Sequence, residues 1–196
     1  MLYSTATGQK PLCAMTGGIM HPGGLLLTDR AIAACFFPAK GRVLDAGCGT
    51  GIVVEHLRSH HGLLACGIDI ATCASRPFAQ ASVDSLPVKT GALNGVLCEC
   101  VLSLLPDAGR ALREFGRVLA ADGHLILSDL YDREQQGCMR ELLQCFGFTV
   151  ILWEDHTKAL REFGALLALQ GLVHTTCLET KKSTGYYLAV ARKDIC

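Results

Sequence analysis

The densest run of residues able to do chemistry is Val43-Leu-Asp-Ala-Gly-Cys-Gly-Thr-Gly51. An apolar stretch enters glycines at alternate positions, Gly47, Gly49 and Gly51, and an amphipathic pattern marked by Val53, Val54 and Leu57 follows. Glycine there permits a tight turn and lets a ligand approach the backbone amides at a helix N-terminus. The spacing predicts a nucleotide-type site. A dinucleotide fingerprint needs glycine at its sixth position, where Ile52 stands, so that match fails. Asp45, two residues before the first glycine, faces whatever the loop holds. Its carboxylate repels a pyrophosphate and attracts an ammonium.

A second carboxylate, Asp69 in Gly67-Ile-Asp-Ile70, closes the next apolar run about 20 residues on. An acid at this point of a doubly wound sheet accepts the hydroxyls of a ribose, and its bland alternative is a solvated helix cap. Glu99, Asp129, Tyr131 and His156 follow the expected ends of later strands, and His21 lies in the N-terminal segment. Each reads either as a proton acceptor or as a satisfied polar side chain. His60 and His61 close a helix and read as surface residues. Cys98 and Cys100, two apart on an extended run, are expected on one face. Cys-x-x-Cys pairs and zinc-spaced Cys/His clusters are missing from the sequence, so no metal is expected.

The elements that must position these groups alternate. Arg42 to Ala46, Leu63 to Ile68, Leu93 to Cys98, Gly123 to Leu127 and Phe148 to Trp153 are strand-length apolar runs. Helical patterns separate several of them: Leu112, Phe115, Val118 and Leu119 mark one face, and Met139, Leu142, Leu143 and Phe146 another. Repeated strand, helix, strand gives right-handed crossovers and a largely parallel sheet covered on both sides. The fold class is α/β, a Rossmann-like doubly wound sheet. Asp155 to Gln170 reads as a helix, Gly171 to Ser183 as polar, and Tyr186 to Ala191 as a final strand entering antiparallel at the sheet edge.

Composition bounds the rest. The 196 residues carry 18 Lys+Arg against 18 Asp+Glu and include 11 cysteines. That length makes one domain, residues 1–196, able to bury a core without staples. Residues 1–38 form a leader or lid before a core at 40–196. Neutral charge argues against duplex nucleic acid or an anionic membrane as partner. A signal peptide and a spanning helix are both missing, so the expected compartment is the cytoplasm. There thiols stay reduced, and cysteines such as Cys66, Cys98 and Cys145 are expected to pack as small hydrophobes.

Val43 to Gly51 with Asp69, Ser85-Leu-Pro87, Leu93 to Leu102 and Leu112 to Asp129 together resemble a class I S-adenosylmethionine-dependent methyltransferase. The nearest branch is the small-molecule one, with its quinone-type and arsenite methyltransferases. The resemblance covers about residues 40–150. It implies a seven-stranded sheet with a reversed last strand and S-adenosyl-L-methionine across the carboxyl ends of the first strands. By position, Asp45, Gly47, Cys48 and Gly49 line the methionine end, Asp69 holds the ribose and Ile70 packs on adenine. Where the family often has an Asp facing the adenine amine, this chain has Ser82, with Val83 and Asp84 beside it. A backbone carbonyl near the amino group falls on Cys98 or Glu99.

Methyl transfer from a sulfonium needs alignment and dryness more than an acid, so the absence of an obvious dyad is no objection. Glu99, Cys100 and Tyr131 are the catalytic candidates. In arsenite methyltransferases a cysteine in a similar context ligates arsenic. Cys100 matches it and Cys138 loosely resembles a second ligand. Arg30 or Thr28 on a leader helix, Leu25 to Phe37, is expected near the cofactor carboxylate. The acceptor pocket must come from the leader and from Asp155 to Ser183, which favours a compact small-molecule acceptor; a partner protein or second copy is the other way to complete it. A catalytically silent adenosylmethionine-binding or assembly domain and a NAD-dependent oxidoreductase are the rival readings.

Overall fold

The computed structural model describes residues 21–71, 78–169 and 183–194, with backbone only at 135 and 136. Expectations placed on residues 1–20 and on 170–182 lie outside these residues. The chain runs α1 (Gly24–Ala33), β1 (Arg42–Ala46), α2 (Ile52–His61), β2 (Leu64–Asp69), β3 (Phe78–Gln80), β4 (Leu93–Glu99), α3 (Ala108–Val118), β5 (Leu119–Asp132), α4 (Gln136–Cys145), β6 (Phe148–Asp155), α5 (Thr157–Leu169) and β7 (Thr184–Lys193). Seven strands form one sheet in the order β3-β2-β1-β4-β5-β7-β6. Neighbouring strands from β3 to β5 pair in parallel, and β7 pairs antiparallel with both β5 and β6.

The expected alternation is therefore present, with two corrections. β3 is an extra strand of three residues, too short to show a period in the sequence. The reversed last strand lies inside the sheet, and β6 forms the edge. Burial explains the position. Tyr186, Leu188 and Val190 enter one core layer, while Tyr187, Ala189 and Ala191 enter the other. A strand apolar on both faces is stable only with cover on both. β6 is only partly buried along most of its length and tolerates an edge.

The layers are distinct. α3 buries Ala111, Leu112, Phe115 and Val118 against Leu44, Val96 and Leu125 on one face, where Leu143 of α4 joins them. Each large side chain removed from water there is worth about 1.5–3 kcal/mol. Asp107 starts α3 by accepting the amides of Gly109 and Arg110 at 2.9 and 3.3 Å. On the opposite face α1 buries Leu27, Ala31 and Ile32, and α2 buries Val53, Val54 and Leu57, against Val43, Leu97 and Tyr186. α1 thus belongs to the sheet cover, with its first turn reaching the carboxyl ends of the strands.

Candidate functional site

β1, β2 and β4 end side by side, Asp45 being in register with Gly67 and with Leu97. The glycine loop folds over these ends. The amides of Gly47 and Cys48 both donate to the Ile68 carbonyl, at 2.8 and 2.9 Å. The Gly49 amide donates to Asp69 Oδ2 at 2.9 Å, and the Ala71 amide to Oδ1 at 2.8 Å. Asp69 therefore fastens the loop to β2 while each oxygen keeps accepting capacity. Gly47 has φ 92°, and a Cβ there would overlap Val101 Cγ2. Gly51 has φ 81° as the N-cap of α2, and a Cβ there would overlap the Phe78 ring.

Three acids converge on this space. Asp45 is 3% exposed and Glu99 is 9% exposed. Burial first, and then the charges of Glu99 and Asp69, push the Asp45 carboxyl well above its usual range. The Thr28 hydroxyl of α1 donates to Glu99 Oε1 at 3.2 Å. His21 Nε2 lies 3.6 Å from Glu99 Oε2 and is buried with no hydrogen-bond partner. Among the described residues no Lys or Arg forms an ion pair with Asp45, Asp69 or Glu99. Buried acids without a cation favour a positively charged ligand. An amino-acid ammonium and a sulfonium meet that need, and a pyrophosphate does not.

The residues expected to flank adenine lie along the same edge. Ile70 is 74% exposed at the end of β2. Gln80 Nε2 donates to the Ile70 carbonyl at 3.0 Å, and the Ala81 amide to the Asp69 carbonyl at 3.0 Å. That places Ser82, Val83 and Asp84 beside the end of β2. Val83 is buried, and Asp84 stands 3.9 Å from Arg110 Nε. Cys48 turns its thiol onto Gly67 of β2 and spends its amide on Ile68, so its part is to shape the loop.

Several expectations fail locally. Cys98 and Cys100 do not share a face: β4 ends at Glu99, and Cys100 has φ 56°, which rotates it away from the strand's alternation. Cys98 lies in the α3 layer and Cys100 against the α1 layer. The Cys100 thiol sits 3.2 Å from the Tyr186 hydroxyl, which donates to Ser128 Oγ at 3.0 Å. Burial first, with Asp129 second, raises the Cys100 thiol far above its ordinary value, against thiolate chemistry. Cys138 is exposed on α4, which packs in the opposite layer, so the two cysteines do not form a ligand pair. Cys145 is exposed as well, a correction to its expected packing.

Arg30 does not reach the acids. Its guanidinium binds Glu154 of β6 through Nε at 3.1 Å and through Nη2, leaving Thr28 as the α1 residue at the site. Asp129 and Tyr131 lie within β5, which is longer than expected. Asp129 is held by the Ser103 amide at 2.9 Å and the Ser103 hydroxyl, and Tyr131 donates to Asp155 at 2.8 Å. Tyr186 and Ser128 went unnoticed in the sequence, since a tyrosine inside an apolar run signals core.

A family described as a methyltransferase domain matches residues 25–148. Among solved structures, the [4+2]-cyclase SpnF superposes with a TM-score of 0.78 at 23% identity, covering 96% of this chain and 93% of that one. A Haemonchus contortus phosphoethanolamine N-methyltransferase 2, solved with phosphomonomethylethanolamine and S-adenosylhomocysteine, gives 0.80 at 16% identity, covering 97% of this chain and 58% of that one. Geranyl diphosphate C-methyltransferase from Streptomyces coelicolor A3(2), solved with Mg2+, geranyl diphosphate and S-adenosyl-L-homocysteine, gives 0.72 at 12% identity, covering 86% and 79%. At these identities the likeness establishes a shared fold.

Proposed function

The chain belongs to the methyltransferase domain family, whose cofactor is S-adenosylmethionine, and from that premise we propose that it methylates a small-molecule acceptor by in-line transfer. One observation carries the reading: the acids Asp45, Asp69 and Glu99, with no Lys or Arg paired to them among the described residues, around a glycine loop. S-Adenosylmethionine supplies a methyl group on a sulfonium, which departs as a neutral thioether. Asp45 attracts the ammonium of its amino-acid end. Gly47 and Gly49 leave room for close approach of the backbone, and Asp69 accepts the ribose hydroxyls while holding the Gly49 amide. Ile70 covers the adenine, with Ser82, Val83 and Asp84 flanking it.

For an acceptor that arrives protonated, His21 Nε2 takes the proton, and Glu99, fixed by Thr28, steadies the resulting imidazolium. Leu27 and Thr28, buried on the inner side of α1, exclude water from the same space. Small acceptors are supported by two neighbours of this fold, which were solved with phosphomonomethylethanolamine and geranyl diphosphate. Among the described residues no helix is long and apolar enough to cross a membrane. The test is calorimetry with S-adenosylmethionine, S-adenosylhomocysteine and NAD, followed by tritiated-methyl transfer across amines, phenols, thiols and carboxylates. Adenosylmethionine binding with label transferred to one acceptor class supports the reading. NAD binding alone, or no ligand, ends it. Binding without transfer favours an assembly role or another chemistry on this scaffold, of which the [4+2]-cyclase neighbour is an instance.

A further inference from the structure

Away from the acid cluster, the outer side of α1 meets the outer side of α2 through three ligand-type side chains. Asp29 Oδ1 lies 2.6 Å from His56 Nε2 and 2.7 Å from His61 Nε2. All three donor atoms fall within 4.8 Å of one another. The side chains are partly sheltered, His56 at 11%, His61 at 26% and Asp29 at 39% exposure. One side thus stays open to water. His60, its ring stacked on His56 at 4.5 Å, bonds Ser59 and takes no part in the triad.

From this geometry we infer a binding site for a borderline divalent transition-metal ion of the Zn2+ class, held by Asp29, His56 and His61, with water completing the shell. Two imidazoles and one carboxylate suit zinc, cobalt or nickel and are a poor set for magnesium or calcium. Ligation through Nε2 places the ring protons on Nδ1. Donors on a tetrahedral ion stand about 3.3 Å apart, so the N···O separations open by about 0.6 Å on loading, within reach of side-chain rotation.

The position gives the ion a structural role. Asp29 follows Thr28, whose hydroxyl holds Glu99, and α2 begins directly from the glycine loop. An ion bridging Asp29 to His56 and His61 staples the helix carrying Thr28 to the helix that leaves the loop. The sequence hid the site because Asp29 and His56 lie far apart in the chain, on two different helices.

The test uses untagged, reduced protein and Co2+ as a spectroscopic probe. The site predicts visible d–d bands at one equivalent, without thiolate-to-cobalt charge transfer. Asp29→Asn, His56→Gln and His61→Gln each abolish the bands, while His60→Gln leaves them unchanged. A saturating hundredfold excess of Zn2+ over its Kd raises the unfolding midpoint of the parent protein by about 5 °C and leaves the triad variants unmoved. Thiolate charge transfer, bands that persist in all three variants, or no cobalt uptake by a folded parent protein overturns the site. A Zn2+ midpoint shift that survives the triad substitutions overturns the staple.

Discussion

Asp45 and Glu99 lie at the carboxyl ends of the adjacent strands β1 and β4 as two buried carboxylates, and among the described residues no Lys or Arg pairs with either. Asp45 has its carboxyl raised, so its stability contribution is present below the ordinary 3.8 and is lost as pH rises through its higher folded value. Without a ligand, ionising it therefore weakens the fold. Asp45→Asn should raise the ligand-free unfolding midpoint at neutral pH and flatten that pH dependence. The same substitution should weaken S-adenosylhomocysteine binding about 10–100-fold, the worth of one charge-assisted hydrogen bond. Thermal melts across pH, paired with calorimetry, check both. A variant that loses stability and keeps affinity contradicts the assignment.

Asp69 does two jobs, and its substitution should show both. Asp69→Ala removes the acceptor of the Gly49 and Ala71 amides, a loss of about 1–3 kcal/mol in denaturant unfolding. Asp69→Glu restores the charge with a longer reach and should recover stability only in part. Cofactor affinity should fall at least tenfold in both.

Gly47→Ala tests the loop backbone. The residue sits at φ 92° and a methyl group would overlap Val101 Cγ2. Strain and displacement together should cost about 1–3 kcal/mol. Gly62→Ala, at φ 63° but in open space, should cost less. Equal costs at the two sites would remove the steric part of the argument.

His21→Ala should lower kcat about 100-fold or more for an acceptor that must lose a proton, and leave S-adenosylhomocysteine affinity unchanged. The separation of kcat from cofactor affinity is the informative readout. Glu99→Gln, which keeps the Thr28 contact, should move the pH profile of kcat with a smaller fall. An unchanged profile for both variants would place the proton acceptor elsewhere.

Cys100→Ser should leave methyl transfer within about threefold and should not alter tolerance of arsenite, because the thiol is buried against Tyr186. Tyr186→Phe is the costlier change, since it leaves Ser128 without its donor in the core, about 1–3 kcal/mol. Urea melts of the two variants separate the cases.

Much of the fold was legible because its signals are local. Glycines at 47, 49 and 51 between an apolar strand and an amphipathic helix admit few geometries, and Asp45 with Ile52 argued against a pyrophosphate. The run Tyr186 to Ala191 was legible as a reversed strand but not as an interior one: it was expected at the edge, and burial of both its faces draws it between β5 and β6. β3 was not legible: a three-residue strand has no period and is held by its neighbour. The face of Cys100 was missed because alternation assumes a continuing strand, and the strand ends one residue earlier.

By itself the sequence determined an α/β sheet, a glycine loop between its first strand and the following helix, and the carboxylates that flank that loop. All of these rest on residue types at fixed short spacings. Tertiary structure alone decided which distant side chains meet: Thr28 with Glu99, Arg30 with Glu154, Asp29 with His56 and His61. Those pairings depend on how α1 lies across the sheet relative to α2 and β6. Packing of buried faces sets that placement, and no spacing along the chain records it.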